Sequence, residues 1–375
     1  MRLFYRAGLG IVIVVAAAAC NKDSSAPVDF ENPGAVSSNL SSVDSVFDSD
    51  MFRSFNVATF MLDAATTAPA MRPTAALLGA LRPKLERTGG QIFLPGLLQA
   101  HKLQALGPRL SVAAEQGAII PDSLYGRVFE WNDTTDQYVF RGTTVPNLNG
   151  VRFILYAVGL DGLIFEPTTA IGTLDIVDQS TQSSLMLHVR VRNTAGTITY
   201  LDYTAELTGS QTSAQATASG TITNGLTAPN NKTLSFDETL TANQTGIRVI
   251  ATFALNNPAI TLMLNESLTV TGDDLIINAD FRVIQNSQTI RTVGRITVNT
   301  LSQDVDISIV VQVDGHPVAT ISGDPNLPGT QWLDAGGEPL TIEDLAALDH
   351  LFDALQQFDE AVAGLFTPIG TFGNL

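Results

Sequence analysis

Two acids stand in an otherwise apolar series in the second half of this chain. Glu238 interrupts Leu234, Phe236 and Leu240, and Glu266 interrupts Leu264 and Leu268. Pairing the flanking segments as hairpins sets Glu238 across from Ala251, and Glu266 across from Ala279, which in turn faces Gly294. Small residues opposite each acid leave space. Two buried carboxylates beside a gap suit general acid and base work, or the binding of a polar ligand group. A glycosidase needs such a pair a few ångströms apart. Here the expected strands have one strand between them and are offset by one pleat, which gives roughly 12 Å at Cα. That is loose for catalysis. The plainer expectation is local: a bulge turns each Glu outward, or each meets a helix or backbone donor.

The opposite face of the same hairpins carries a second candidate. Arg282 and Arg291 fall directly across from each other, with Asp280 one pleat away to share them. Like charges so placed are unfavourable. The pair reads either as a small anion site or as a solvated charge cluster. Gly272-Asp273-Asp274 has the oxygen-rich look of a calcium loop, but calcium takes six or more oxygens, so a polar turn is the simpler reading. His101, His188, His316 and His350 are far apart, and none has a metal-like neighbour at helical or strand spacing. His188 falls on the polar side of its strand and is expected to be solvated or hydrogen-bonded. The chain has no GxSxG, HExxH, CxxC or phosphate-binding glycine loop. No metal ligand set and no cofactor is expected.

The elements that would position these residues are strands. After Tyr125 the pattern has period two, in segments near 126–131, 137–142, 151–158, 163–166 and 171–177. From Leu185 it is regular: 185–192, 197–208, 214–223, 233–242, 247–255, 260–270, 275–284, 289–298, 305–313 and 317–322. Alternation of this kind marks a sheet with one buried face. Four turns of four residues, 243–246, 256–259, 271–274 and 285–288, are filled with turn formers. Pairing across them keeps Ile247, Val249, Phe253, Leu262, Leu268, Val270, Ile277, Phe281, Ile296 and Ile307 on one face. A slip of one residue would expose the whole set.

Such a face must be covered. Leu345, Leu348, Phe352, Leu355, Val362 and Phe366 recur at three and four residues, predicting an amphipathic helix over 341–366 with Thr341 as its cap. Its other side is acidic, which suits core packing better than a membrane surface. Helical spacing also runs through Phe52, Phe55, Val57, Phe60 and Met61, and two shorter candidates cover 75–85 and 97–106. The expected fold is α+β: a long curved antiparallel β-meander, its apolar face covered by the C-terminal helix and N-terminal helices. Domain organisation follows: a helical part at 46–124, a sheet at 125–322 and the last helix, in one body from 46 to 375. A membrane-spanning barrel would turn its apolar side outward between aromatic girdles, and aromatics are only 7% of this chain with no girdle-like repeat.

The start of the chain has a different character. Arg2 and Arg6 precede a short apolar run from Leu9 to Val15, and Ala16–Ala19 lead into Cys20, the only cysteine. This is the order of a secretory signal, too short to span a membrane. Ending on cysteine, it resembles the signal of bacterial lipoproteins. That resemblance covers residues 1–20 and implies cleavage after Ala19, lipidation of Cys20, and an exported protein anchored in a membrane, facing the periplasm or the cell surface. Residues 20–45, rich in Ser, Asn, Asp and Pro, read as a flexible tether. A single cysteine allows no internal disulfide, so packing and hydrogen bonds must hold the fold.

The net charge is −17, from 20 basic and 37 acidic residues, and cutting away Arg2 and Arg6 makes the remainder more acidic still. Nucleic acid is therefore not an expected partner. The membrane would be reached through the acylated Cys20 instead. The function expected is non-catalytic: a lipid-anchored bacterial envelope protein that binds a ligand or an envelope protein, or holds a structure together. One alternative is a carrier of a hydrophobic ligand between sheet and helices. The other is a hydrolase using Glu238 and Glu266.

Overall fold

Most of the period-two sequence that the structure describes becomes strand. The computed structural model describes residues 42–63, 118–341 and 364–372, apart from 44, 48, 160–162, 211, 286–287, 300, 303, 324–330 and 335. The signal, Cys20, the helical candidates at 75–85 and 97–106, His101, His350 and nearly all of the expected C-terminal helix lie outside the described residues. In chain order, helix α1 (Asp50–Asp63) is followed by β1 (Arg127–Asn132), β2 (Gln137–Thr144), β3 (Gly150–Tyr156), β4 (Ala170–Asp178) and β5 (Leu185–Asn193). Then come β6 (Thr199–Gly209), β7 (Ser213–Thr223), β8 (Thr233–Asn243), β9 (Gly246–Asn256) and β10 (Ala259–Thr271). The sheet continues with β11 (Asp274–Gln285), β12 (Gln288–Asn299), β13 (Val305–Val313), β14 (His316–Gly323) and β15 (Gln331–Asp334), before helix α2 (Thr367–Phe372).

All of these strands join one mixed sheet of 15, and from β3 to β15 each strand pairs with its sequence neighbours in antiparallel fashion. The first strands depart from a simple meander. β1 lies between β2 and β3, antiparallel to one and parallel to the other. Gly126 makes this crossing possible. Its N–H donates to the Gly150 carbonyl, and its own carbonyl accepts from the Val145 N–H, both at 2.7 Å. It has φ +76°, and a Cβ there would stand 2.8 Å from the Val145 oxygen, so only glycine fits the clasp. The expected strand at 163–166 reduces to a single bridge, Val158 to Ile164, with Leu163 and Phe165 exposed around it.

Short loops in the turn-forming tetrads set the register of β8 to β12. Ala242 pairs with Ile247, Asn256 with Ala259, Thr271 with Asp274, and Gln285 with Gln288. Every second side chain is consequently buried, from Leu234 and Phe236 through Phe253, Leu262, Ile277 and Phe281 to Ile296, Ile307 and Ile321. Full burial of each such side chain stabilises by about 1.5–3 kcal/mol before conformational entropy is set against it. Val270, at its hairpin tip, is the exception and stays exposed.

The described helices meet this face at one end of the sheet. α1 packs on β2 to β6 and on α2, and α2 packs on β5 and β6. Phe55 of α1 meets Tyr203 edge to face at 6.4 Å, Tyr203 meets Phe236 at 5.9 Å, and Phe236 stacks on Phe253 at 6.0 Å. The buried Tyr203 hydroxyl donates to the Leu365 carbonyl at 2.8 Å, which ties the C-terminal segment to β6. Burial pushes that phenol well above its ordinary pKa. Residues 42–43 and 45–47 are helical, and Val43 and Val46 are buried because they join the same apolar cluster.

Candidate functional site

The inner face holds the two acids, and the register decides their surroundings. Glu238 lies between Ala218 of β7 and Ala251 of β9, while Glu266 lies between Val249 of β9 and Ala279 of β11. Ala279 in turn faces Gly294. Glu238 is 2% exposed and Glu266 1% exposed. Neither is turned outward by a bulge, since both ladders run through them without a register shift. Neither carboxylate is without a partner. β9 runs between their strands, and the acids sit one pleat out of line. Thr292 shares this face, is 0% exposed, and makes no hydrogen bond among the described residues.

On the outer face, Arg282 of β11 and Arg291 of β12 are directly opposed and converge on Asp280. Arg282 donates through Nε at 3.1 Å and Nη2 at 2.8 Å, and Arg291 does the same at 2.9 and 2.8 Å. These hydrogen bonds, Arg291's first, hold the Asp280 carboxyl well below the usual carboxylate range. The same contacts push both guanidiniums upward. One carboxylate between two guanidiniums offsets the like-charge repulsion, which Arg291 still feels from Arg282, and leaves the cluster net positive.

Beside this cluster lies an open groove of about 320 Å³ across β10 to β13. Arg291 and Arg295 stand over it. Ser267, Asn278 and Ser308 form one cross-strand row with Arg295. Sequence reading passed over Arg295 because a lone arginine on a polar face looks like any solvated charge. Only the register of four strands sets it among short polar neighbours. A wider cleft of about 650 Å³ lies between the start of α1 and the β7–β8 loop. It is bordered by Tyr200, Leu226, Asn257 and Lys232, whose ammonium donates to Ser45 at 2.8 Å.

Two further ion clusters lie on the outer face. Asp175 of β4 is held by Arg152 of β3 and Arg192 of β5. His188 Nε2 lies 2.6 Å from Asp202, which also accepts from Arg190. His316 is exposed at the start of β14. The Gly272-Asp273-Asp274 segment is a tight turn in which Gly272 takes φ +61°, and Asp274 accepts from Asn299. Among the described residues no group of three metal-ligating side chains occurs, and no helix is long and apolar enough to cross a membrane. Neither a protein-family model nor a curated protein nor a solved structure matches this chain.

Proposed function

We propose that this chain is a lipid-anchored bacterial envelope protein with a non-catalytic binding or structural role, tethered to the membrane through Cys20 and facing the periplasm or the cell surface. The observation that supports the non-catalytic reading most is the burial of Glu238 and Glu266. At 1–2% exposure neither can meet a soluble substrate, and β9 runs between them. A large sheet with one dry face and one wet, charge-paired face is suited to holding a surface in place. The hydrolase alternative would need both acids in one accessible cleft.

The fold belongs to the same reading. α1 and α2 pack on β2 to β6, yet the inner faces of β8 to β14 are just as dry. A further covering layer is required there, and the amphipathic segment 342–366 has the apolar stripe for it. The complete protein is then α+β, with helices roofing the sheet. The carrier alternative needs an open apolar void, whose lining side chains would register as accessible. Inner-face positions such as Val249, Ile296 and Ile309 are 0% exposed.

Metabolic labelling with radioactive palmitate tests the anchor. The intact chain should take up label in the envelope fraction, and Cys20→Ser should not. An unlabelled wild-type protein would end the proposal. Native mass spectrometry of the labelled protein should show the mass of the anchor alone. A second, releasable lipid would favour the carrier instead.

A further inference from the structure

The geometry points to a binding site in the groove across β10–β13 for a small oxyanion, carboxylate or phosphate, borne on a hydroxylated carrier. Charge is the first argument. The chain is strongly acidic at −17, yet Arg248, Arg282, Arg291 and Arg295 gather on this one face around Asp280. Arg295 makes no hydrogen bond or ion pair among the described residues. Its direct cross-strand neighbours are Asn278 and Ser308, and Asp280 and Asp306 lie one pleat away on β11 and β13 without pairing with it.

Pre-organisation is the second argument. Asp280 engages Arg291 through Nε and Nη2, which fixes the guanidinium and leaves its Nη1 edge unused. Arg295 lies four residues along the same strand face, roughly 13 Å away at Cα by strand rise, so two long arms reach toward the space between them. An oxyanion held there replaces no existing salt bridge. Little side-chain freedom is lost at Arg291, because it is already held.

The lining describes the rest of the ligand. Asn265 accepts from Arg248 Nε at 3.1 Å through Oδ1, leaving its amide N–H groups to donate. Ser267, Asn278 and Ser308 add donors and acceptors matched to hydroxyls, and half-buried Val293 and Val310 offer a strip for carbon. A groove of about 320 Å³ is far larger than a bare phosphate needs and lies at the low end for small-molecule sites. Extended polyanions would be repelled by the acidic remainder of the chain.

Calorimetric titration of the full, anchored protein in nonionic detergent tests this directly. Glucose 6-phosphate and glucuronate are the charged probes, with glucose and inorganic phosphate as the partial ones. At least one charged sugar should bind with Kd below ~1 mM at low salt, and at least about tenfold more tightly than either partial probe. The preferred charged sugar identifies the oxyanion. Arg295→Ala should weaken that binding about tenfold with an unchanged melting temperature, and Arg295→Lys should restore part of it. Absence of heat with both charged sugars overturns the site. So does equal binding of glucose or inorganic phosphate, or indifference to Arg295→Ala.

Discussion

Asp175 and Asp280 are both outer-face aspartates that take up two arginines, and they differ in how the strands deliver those arginines. Asp175 sits on β4 between Arg152 on β3 and Arg192 on β5, so guanidiniums close over it from both sides. Its side chain is 8% exposed and theirs are 24% and 29% exposed. Asp280 has one arginine on its own strand and one on β12, both at the same end, and its β10 side faces only Asn265. There the side-chain exposures are 22% for the acid and 42% and 38% for the arginines. One aspartate and two arginines thus build a closed structural clamp in one place and an open, positively biased rim in the other. What separates them is which strand holds the acid.

The sharpest way to break that contrast is to remove the closed acid. Asp175→Asn should cost about 3 kcal/mol of unfolding free energy, because two half-buried guanidiniums lose their counter-charge. Chemical denaturation at neutral pH checks it, and a loss under about 1 kcal/mol would make the two clusters equivalent. Arg192→Met removes one arm of the clamp and should cost about 1.5 kcal/mol in the same measurement. Beneath the sheet the sign reverses. Thr292→Val should stabilise by about 1 kcal/mol, since a buried hydroxyl with no hydrogen bond among the described residues is replaced by a methyl of similar shape.

Asp280→Asn should cost about 1 kcal/mol or less, since its partners are more than a third exposed and solvent screens them. Its pH dependence is the more telling readout. The folded carboxyl is held below its unfolded value, so its stabilisation is complete above about pH 4 and fades as the pH falls below that. The stability gap between wild type and Asp280→Asn should therefore be flat near neutrality and close in acid. A gap that widens in acid would contradict the direction of the shift. The smallest effect is that of salt: raising ionic strength should narrow the Asp280 gap more than the Asp175 gap.

Much of this architecture could be read before any coordinates. The hairpin register of β8 to β12 was legible because short tetrads of turn-forming residues leave little freedom in how their flanks pair. From that register follow the neighbours of Glu238 and Glu266, and the opposition of Arg282 to Arg291. The place of β1 was not legible, because its parallel pairing with β3 depends on a crossing loop and on the clasp at Gly126 rather than on local pattern. The four-residue β15 was missed because Gln331–Asp334 is too short for alternation to declare itself.

Alternation alone therefore determined that a dry and a wet face exist and which residues belong to each, because side chains of an extended chain point to opposite sides in turn. Tertiary structure decided how deeply each residue is hidden and which charges meet. Exposure of Glu238, closure around Asp175 and the unclaimed position of Arg295 all depend on strands and covering segments distant in sequence, and a period of two carries no information about those.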